Sequence, residues 1–397
     1  MPWWPPNKSD LWATTSAARA LSTGERVWAF DPQRIARAAQ TFWWDPLRRL
    51  ADSDYPLEEA QRLAGHFVLT VDDVDKRNIW GPAATSLLKA LLLAAALDGR
   101  TIHDVHRWLA SDGNPTPVDL LREHGWTAVA STLSGLYADP PDTRGSVYFT
   151  ARTATVCLAN PQITAWITPP NDDNPSLDEF DAAKFPCTKE TLYLMSKDGG
   201  GAAGPQVAAL TDAVMRSGVT AAERRGGRLD APMVIVLDEA GNICKIADLP
   251  QLYSHLGSRG VVVITILQSY SQGVGVWGQN GMKLLWSAAT IKLIGAGIDD
   301  PDFGEDISRL IGDHEVRHVS HNIGGERATR TVTTRTQRIL PLSAVRALPK
   351  GTALVMATGT KVAMVTLLPW FTSPRQASIQ ADVDVAVESI TASAGAR

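Results

Sequence analysis

Residues 233–242, MVIVLDEAGN, limit what this chain can fold into more than any other stretch. Five apolar residues, Met233 to Leu237, run straight into two acids and then a glycine turn. Such a run suits a strand covered on both faces of a parallel sheet. A strand that ends in Asp238-Glu239 sets both carboxylates at the carboxyl edge of that sheet, where α/β folds bind ligands. In a nucleoside triphosphatase the first acid holds the Mg²⁺ shell, and the second positions or deprotonates the attacking water. An ordinary strand end with a solvated acid pair would carry the same letters.

The next apolar run strengthens the first reading. Residues 261–268, VVVITILQ, end in Gln268, with Ser269 and Gln272 just beyond. An amide at the end of the neighbouring strand can touch both a γ-phosphate and its water. Between the two runs lies Ser258-Arg259-Gly260. A loop arginine there can reach a neighbouring subunit's nucleotide as a charge-stabilising finger, or serve as a surface ion-pair partner. Further short strands are expected at 27–30, 191–196, 291–294 and 354–357, with crossover helices at 206–225 and 283–289. This alternation is the pattern of an α/β domain.

Residues 46–185 differ. Helical patterns at 57–67, 83–97, 102–110, 118–124, 127–137 and 150–167 leave no room for strands, and Gly/Pro/Asp/Asn clusters separate them. They read as an all-α domain inserted into the α/β one. Residues 317–338 carry Arg317, Arg327, Arg330, Arg335 and Arg338 among threonines and glycines, which suggests a hairpin arm. That arm is either a solvated ribbon or a contact for nucleic acid or another subunit. Residues 377–397 are small and polar and read as a flexible tail.

Composition narrows the field. With 38 basic and 42 acidic residues the formal charge is −4, which excludes a uniformly basic nucleic-acid wrapper but not a local basic channel. The longest apolar run, 91–97, falls short of the roughly 18 residues of a membrane helix. Three scattered cysteines suggest neither a disulfide framework nor a zinc site. The chain reads as cytoplasmic.

The segment DEAGNICKIADLPQLYSHLGSRGVVVITILQSYSQ resembles the core of the type IV secretion coupling proteins, the TraG/TraD family of conjugative DNA-transfer ATPases. The family pattern is an acid pair in a DE-x-x-N-I frame, a helix followed by S-R-G, and an apolar strand ending in Q-S with a second Gln. Looser matches are Asn7 to Leu11, Asp31-Pro32, Trp44 to Leu47, Thr191 to Leu194, Leu310 to Gly312 and Leu348 to Gly351. The resemblance implies a RecA-like P-loop nucleotide-binding core of mostly parallel sheet, divided into residues 1–45 and 186–376. The all-α domain at 46–185 would recognise substrate. It also implies ATP and Mg²⁺ as cofactors, with Asp238 holding Mg²⁺ through water. Glu239 would activate the attacking water, Gln268 would sense the γ-phosphate, and Arg259 would act in trans. The implied partners are single-stranded DNA, relaxase and relaxosome proteins and secretion-channel subunits, in a homo-hexamer at the inner face of the cell membrane.

One departure is plain. A phosphate-binding loop needs G-x-x-x-x-G-K-[ST], and none of the eleven lysines follows a glycine. The run at 199–201 has no Gly-Lys behind it and reads as a loop. In the family the phosphate loop, its strand and the membrane helices precede the segment matching Asn7 to Leu11. The chain is therefore expected to correspond to the family without its front end. A second reading follows: a non-catalytic fragment or adaptor that keeps substrate or partner binding without hydrolysis. Two histidine groups, His314/His318/His321 and His103/His106, read as solvated or packing residues sooner than as metal ligands, and the 13 tryptophans as core and edge fillers.

Overall fold

The computed structural model describes residues 9–71, 74–170, 177–199, 201–322 and 329–395; Trp3-Trp4, Asn7-Lys8 and Arg327 lie outside them. Two units emerge, Met1–Ile266 with Ala377–Arg397, and Leu267–Gln376. The first opens with helix α1 (Asp10–Thr23) and strand β1 (Val27–Phe30). β1 ends at Asp31, whose buried carboxylate accepts from the amides of Ile35 (2.6 Å), Ala36 (3.0 Å) and Ala38 (3.3 Å). Burial raises its pKa, and the amides offset that only in part. The Asp31-Pro32 turn forms where the sequence calls for it.

A two-residue strand β2 (Phe42–Trp43) leads into eight helices: α2 (Pro46–Ala51), α3 (Pro56–Val68), α4 (Val74–Leu97), α5 (Ile102–Ala110), α6 (Thr116–Glu123), α7 (Thr127–Ala138), α8 (Pro141–Ala154) and α9 (Pro161–Thr164). Strand β3 (Asp178–Glu179) receives the chain on its return and pairs with β2 in parallel. Rings close over this root: Trp28 meets Phe42 edge-on at 5.3 Å, and Trp166 meets Phe30 at 5.3 Å and Phe42 at 5.6 Å. Each such pair contributes about 1 kcal/mol beyond the area it buries. Ion pairs Arg26–Asp178 and Arg48–Glu179 flank it, exposed enough to add little.

Two expectations change in this layer. A single helix over 150–167 does not form. α8 stops at Ala154, a 3-10 turn follows at Val156–Ala159, and Pro161 opens the short α9, where the first helical position needs no amide. α4 is longer than its sequence pattern shows, and its part Ile79–Leu97 is long and apolar enough to cross a membrane by length and composition. Its composition has another cause here. Leu87, Leu88, Leu91 and Leu93 are fully buried, and α2, α3, α5, α6, α7 and α8 all pack on it.

The chain returns as β4 (Thr191–Leu194), parallel to β1, then forms α10 (Gly204–Glu223), β5 (Met233–Leu237), α11 (Ala240–Ile243), α12 (Leu249–Leu256) and β6 (Val261–Thr265). β5 and β6 pair in parallel, but β4 and β5 do not pair. A groove of about 1280 Å³ lies along them instead, lined by both strands and by Val207, Thr211 and Val214 of α10.

α10 is buried along most of its length and carries charge inside. Arg216 Nε lies 2.9 and 3.0 Å from the two carboxylate oxygens of Asp212, and its Nη2 pairs with Asp248, the residue before α12. His66 of α3 completes the chain, Nε2 at 3.4 Å from Asp212 Oδ2. Burial by itself would raise the Asp212 carboxyl; the hydrogen bond and charge of His66, with Arg216, outweigh it and bring the pKa to about 2. α3 also approaches the same segment at Gly65, where a Cβ would meet Ala247 Cβ at an ordinary contact distance of 3.5 Å. The all-α layer is thus tied to the residues that follow the acid pair.

In the second unit α13 (Tyr270–Ala288) is broken at Gly278, whose φ of 71° and ψ of 172° no helix contains. It is far longer than the crossover helix expected at 283–289. Next come β7 (Ile291–Gly295), α14 (Pro301–Ile311), β8 (Asp313–Asn322), β9 (Thr329–Arg338), α15 (Leu342–Arg346), β10 (Thr352–Ala357) and β11 (Ala363–Thr366). β11, β10 and β7 form an antiparallel sheet over a core of Ile294, Ile307, Val345, Leu348 and Leu354. The segment expected as a flexible tail is instead α16 (Gln376–Gly395), with Val383 and Ala386 packed against Ala13 of α1.

Two outcomes follow. In β4 and β5 alternate amides serve the ladder: Thr191 and Met195 donate to Arg26 and Phe30, and Met233 donates to Gly260. The amides of Leu192, Leu194, Val234 and Val236 point the other way. Hydrogen exchange should be faster at these four than at Tyr193 and Ile235, and uniform protection would mean that the groove is filled. Asp212 has a depressed folded pKa, so its contribution is complete above the unfolded value near 4 and fades as pH falls toward about 2. D212N should lower unfolding stability by about 3 kcal/mol at pH 7, with the gap to the parent narrowing in urea titrations below pH 4.

Candidate functional site

The acid pair leaves β5 beside the end of β6. The register sets Leu237 opposite Thr265, the Ile266 amide donates to the Leu237 carbonyl (3.0 Å), and the Ala240 amide donates to the Ile266 carbonyl (3.2 Å). Asp238 is exposed and Glu239 half-buried. Glu239 adopts a left-handed conformation (φ 49°, ψ 43°), and its carbonyl accepts from Asn242 (2.8 Å) and Ile243 (3.2 Å). The chain therefore turns from strand to α11 within one residue. A non-glycine residue in this region costs about 1–2 kcal/mol, so the fold spends stability on where this carboxylate stands.

Asp238 and Glu239 open onto the groove beside β4 and β5, while Asn242 and Lys245, a few residues on, face a separate cleft of about 470 Å³. Lys197, Gly199, Gly201 and the first residues of α10 line that cleft too. The glycine run is thus a loop leading into a helix N-terminus. Lys197 and Lys245 were not singled out in the sequence, where only their distance along the chain shows. Thr265 was also missed: its Oγ1, at the strand end beside the acids, is buried without a partner among the described residues.

Of the other expected site residues, Arg259 stands apart from the acids and Gln268 belongs to the second unit. Arg259 sits in the turn before β6 and pairs with Glu223 at 3.4 Å. That is the amino end of the β5–β6 ladder, and five residues of strand at about 3.3 Å each put it roughly 17 Å or more from the acids. Within one chain it does not join Asp238 and Glu239. Gln268 opens the second unit, three residues past the end of β6. Its backbone amide donates to Gln272 Oε1 (2.9 Å), while Ser269 caps α13 by accepting from the Gln272 amide (3.1 Å). Gln272 thus holds the backbone of Gln268, whose own side chain is exposed.

The Asp238 carboxylate is a hard oxygen donor at a strand end, which suits a hydrated Mg²⁺ ion, whereas Thr265 lies on the face of Leu237 and does not line the groove. A triphosphate does not fit the residues described. Six acids line the groove (Asp10, Glu190, Asp198, Asp230, Asp238, Glu239) against three cations (Arg19, Lys189, Arg225), and the sequence has no Gly-Lys cradle. Among the described residues no group of three or more His, Cys, Asp or Glu could hold a metal by itself. His103 and His106 lie on the open side of α5.

Residues 232–350 match the family described as the TraM recognition site of TraD and TraG. No curated protein matches the chain. Among solved structures, the bacterial conjugative coupling protein TrwB in its unbound form matches with a TM-score of 0.59 at 18% identity, over 91% of this chain and 82% of that one. TrwB with the GTP analogue GDPNP gives 0.58 at 19% identity, covering 91% and 83%. TrwB with ADP and Mg²⁺ gives 0.58 at 18%, covering 94% and 85%. The fold is similar to that of TrwB, an α/β core with an all-α layer, and the family match at 232–350 contains the residues 238–272 that carry the likeness read from the sequence.

The left-handed Glu239 makes its own prediction. Glycine relieves that conformation and alanine does not, so E239G should resist unfolding by about 1 kcal/mol more than E239A, both lacking the carboxylate. An E239G no more stable than E239A in thermal unfolding would show that the left-handed backbone carries no strain here.

Proposed function

We propose that the chain is the motor and recognition part of a coupling-protein ATPase. It would recruit relaxase-bound single-stranded DNA and move it into a type IV secretion channel from the cytoplasmic face of the membrane. The observation that carries this reading is the acid pair at the carboxyl edge of β5, followed after β6 by Gln268, within residues that match the family. Asp238 would hold Mg²⁺ through water, and Glu239, fixed by its left-handed turn, would orient and deprotonate the water. Bound ATP would supply the energy of the transfer; its phosphate cradle is not among the residues described. Gln268, steadied by Gln272, would respond to the state of the site. Arg259, at the far end of the ladder, would serve the site of a neighbouring subunit, which requires a ring.

The acid-rich groove favours a second reading, an adaptor that binds relaxase or sister subunits and does not hydrolyse ATP. Calorimetric titration with ADP and Mg²⁺ separates the two. Micromolar binding with turnover that E239Q abolishes supports the motor; no binding, with relaxase still captured, supports the adaptor.

Placing Arg259 in trans has a sharper consequence. R259A and E239Q should each be inactive alone. Mixed in equal amounts, they should recover activity at about one site in four, the share that draws an intact acid pair and an intact arginine from different subunits. A mixture as inactive as its components would rule out the role in trans.

A further inference from the structure

β8 and β9 form a ten-residue antiparallel ladder that pairs with no other strand among the described residues. At about 3.4 Å per residue the arm is roughly 34 Å long. Its base is well held: Arg338 lies 3.3 Å from Glu305 and 3.4 Å from Asp313, the Ile339 amide donates to Gly312 (3.1 Å), and the Ser308 hydroxyl donates to Leu340 (2.7 Å). Beyond the base, Val316 is half-buried, and the cross-strand pair Val319 and Val332 is 38% and 52% exposed. A lone two-stranded ribbon without a hydrophobic face is marginal in water, so so long an arm suits an element that is completed by a partner.

The chemistry of the arm points to the partner. Residues 313–338 hold five arginines against three acids, a local charge of +2 in a chain of −4. The register puts Arg317 opposite Thr334, and Arg335 opposite Val316 and two positions from Thr333 and Gln337. Because side chains alternate, the two arginines stand on opposite faces, each beside exposed hydroxyl or amide groups. Neither forms an ion pair among the described residues, in contrast to Arg338 at the base. Guanidinium forks flanked by hydroxyls are the donors that phosphate oxygens take.

We propose that the β8–β9 arm is a nucleic-acid contact, which lays Arg317 and Arg335 against the phosphates of single-stranded DNA. The inference rests on the reading of the chain as a DNA-handling protein and names the element that touches the strand. The other class of partner, an acidic face of a second subunit, is an outcome of the test. The probe is a fluorescein-labelled thirty-nucleotide thymidine oligomer, titrated into the whole chain by anisotropy from 50 to 300 mM NaCl. Removing two phosphate contacts should lower the slope of log affinity against log salt by about 1.4, and affinity at 0.1 M salt by about 25-fold.

R317A/R335A should show both effects, R317K/R335K should restore the slope, and R100A, an exposed cation of the all-α layer, should show neither. The three substituted side chains, Arg100, Arg317 and Arg335, are exposed, so melting temperatures should match the parent. If the parent binds and R317A/R335A binds equally with the same slope, the arm is not the contact, and the functional reading stands. If sedimentation then shows a smaller assembly for that variant, the arm belongs to a subunit interface and the proposal is overturned. If the parent does not bind the oligomer at all, the functional reading and the arm fall together.

Discussion

The position of the acid pair depends on one buried ionic chain. Arg216 bridges Asp212 and Asp248, and His66 reaches the same Asp212 from the all-α layer. Asp248 stands at the N-cap of α12, yet its side chain makes no capping bond there; it turns to Arg216 instead. A short polar helix start is left without its ordinary acceptor so that α10 can grip the segment behind the acids. Charges this deep are costly to bury and more costly to separate. The network therefore says little about net stability and much about geometry, because it tolerates few alternative packings of α3, α10 and residues 240–248.

The same arrangement shows how an insertion can matter to a site it does not line. The all-α layer enters and leaves through β2 and β3, whose pairing and surrounding rings fix its root. A second attachment runs from α3 to α10 through His66 and to Ala247 at Gly65. With two attachments the layer cannot swing freely about its root. A force or ligand that tilts α3 must be met by the segment between Glu239 and α12, which is where an ATPase of this fold would need to feel its substrate.

Much of this was legible in the sequence, for identifiable reasons. β5 and β6 are unbroken runs rich in β-branched residues, and α5 and α10 have helical spacing bounded by caps or glycines, so local pattern and fold agree. The acid pair followed from the strand end. What was hidden depends on contacts between distant residues. α16 is small and polar along most of its length and becomes a helix whose Val383 and Ala386 are buried on α1. The start of α13 is masked by glycines, and the 3-10 turn that follows α8 carries apolar residues at helical spacing. Arg259 could be placed in order but not in space; its distance from the acids follows from the ladder register.

The groove beside β4 and β5 sharpens the electrostatics of the site. Six carboxylates against three cations repel a polyphosphate, and a hydrated divalent cation at Asp238 would reverse only part of that field. Any nucleotide bound there must bring its charge compensation as Mg²⁺ or meet it from amides and cations outside the residues described. Arg259 cannot supply it within one chain, because the whole β5–β6 ladder lies between it and the acids. If the fold works as a motor, then, its reacting centre is completed by more than one polypeptide. The left-handed Glu239 fits such a site, since a carboxylate held by backbone conformation keeps its position whether or not the neighbouring subunit is in place.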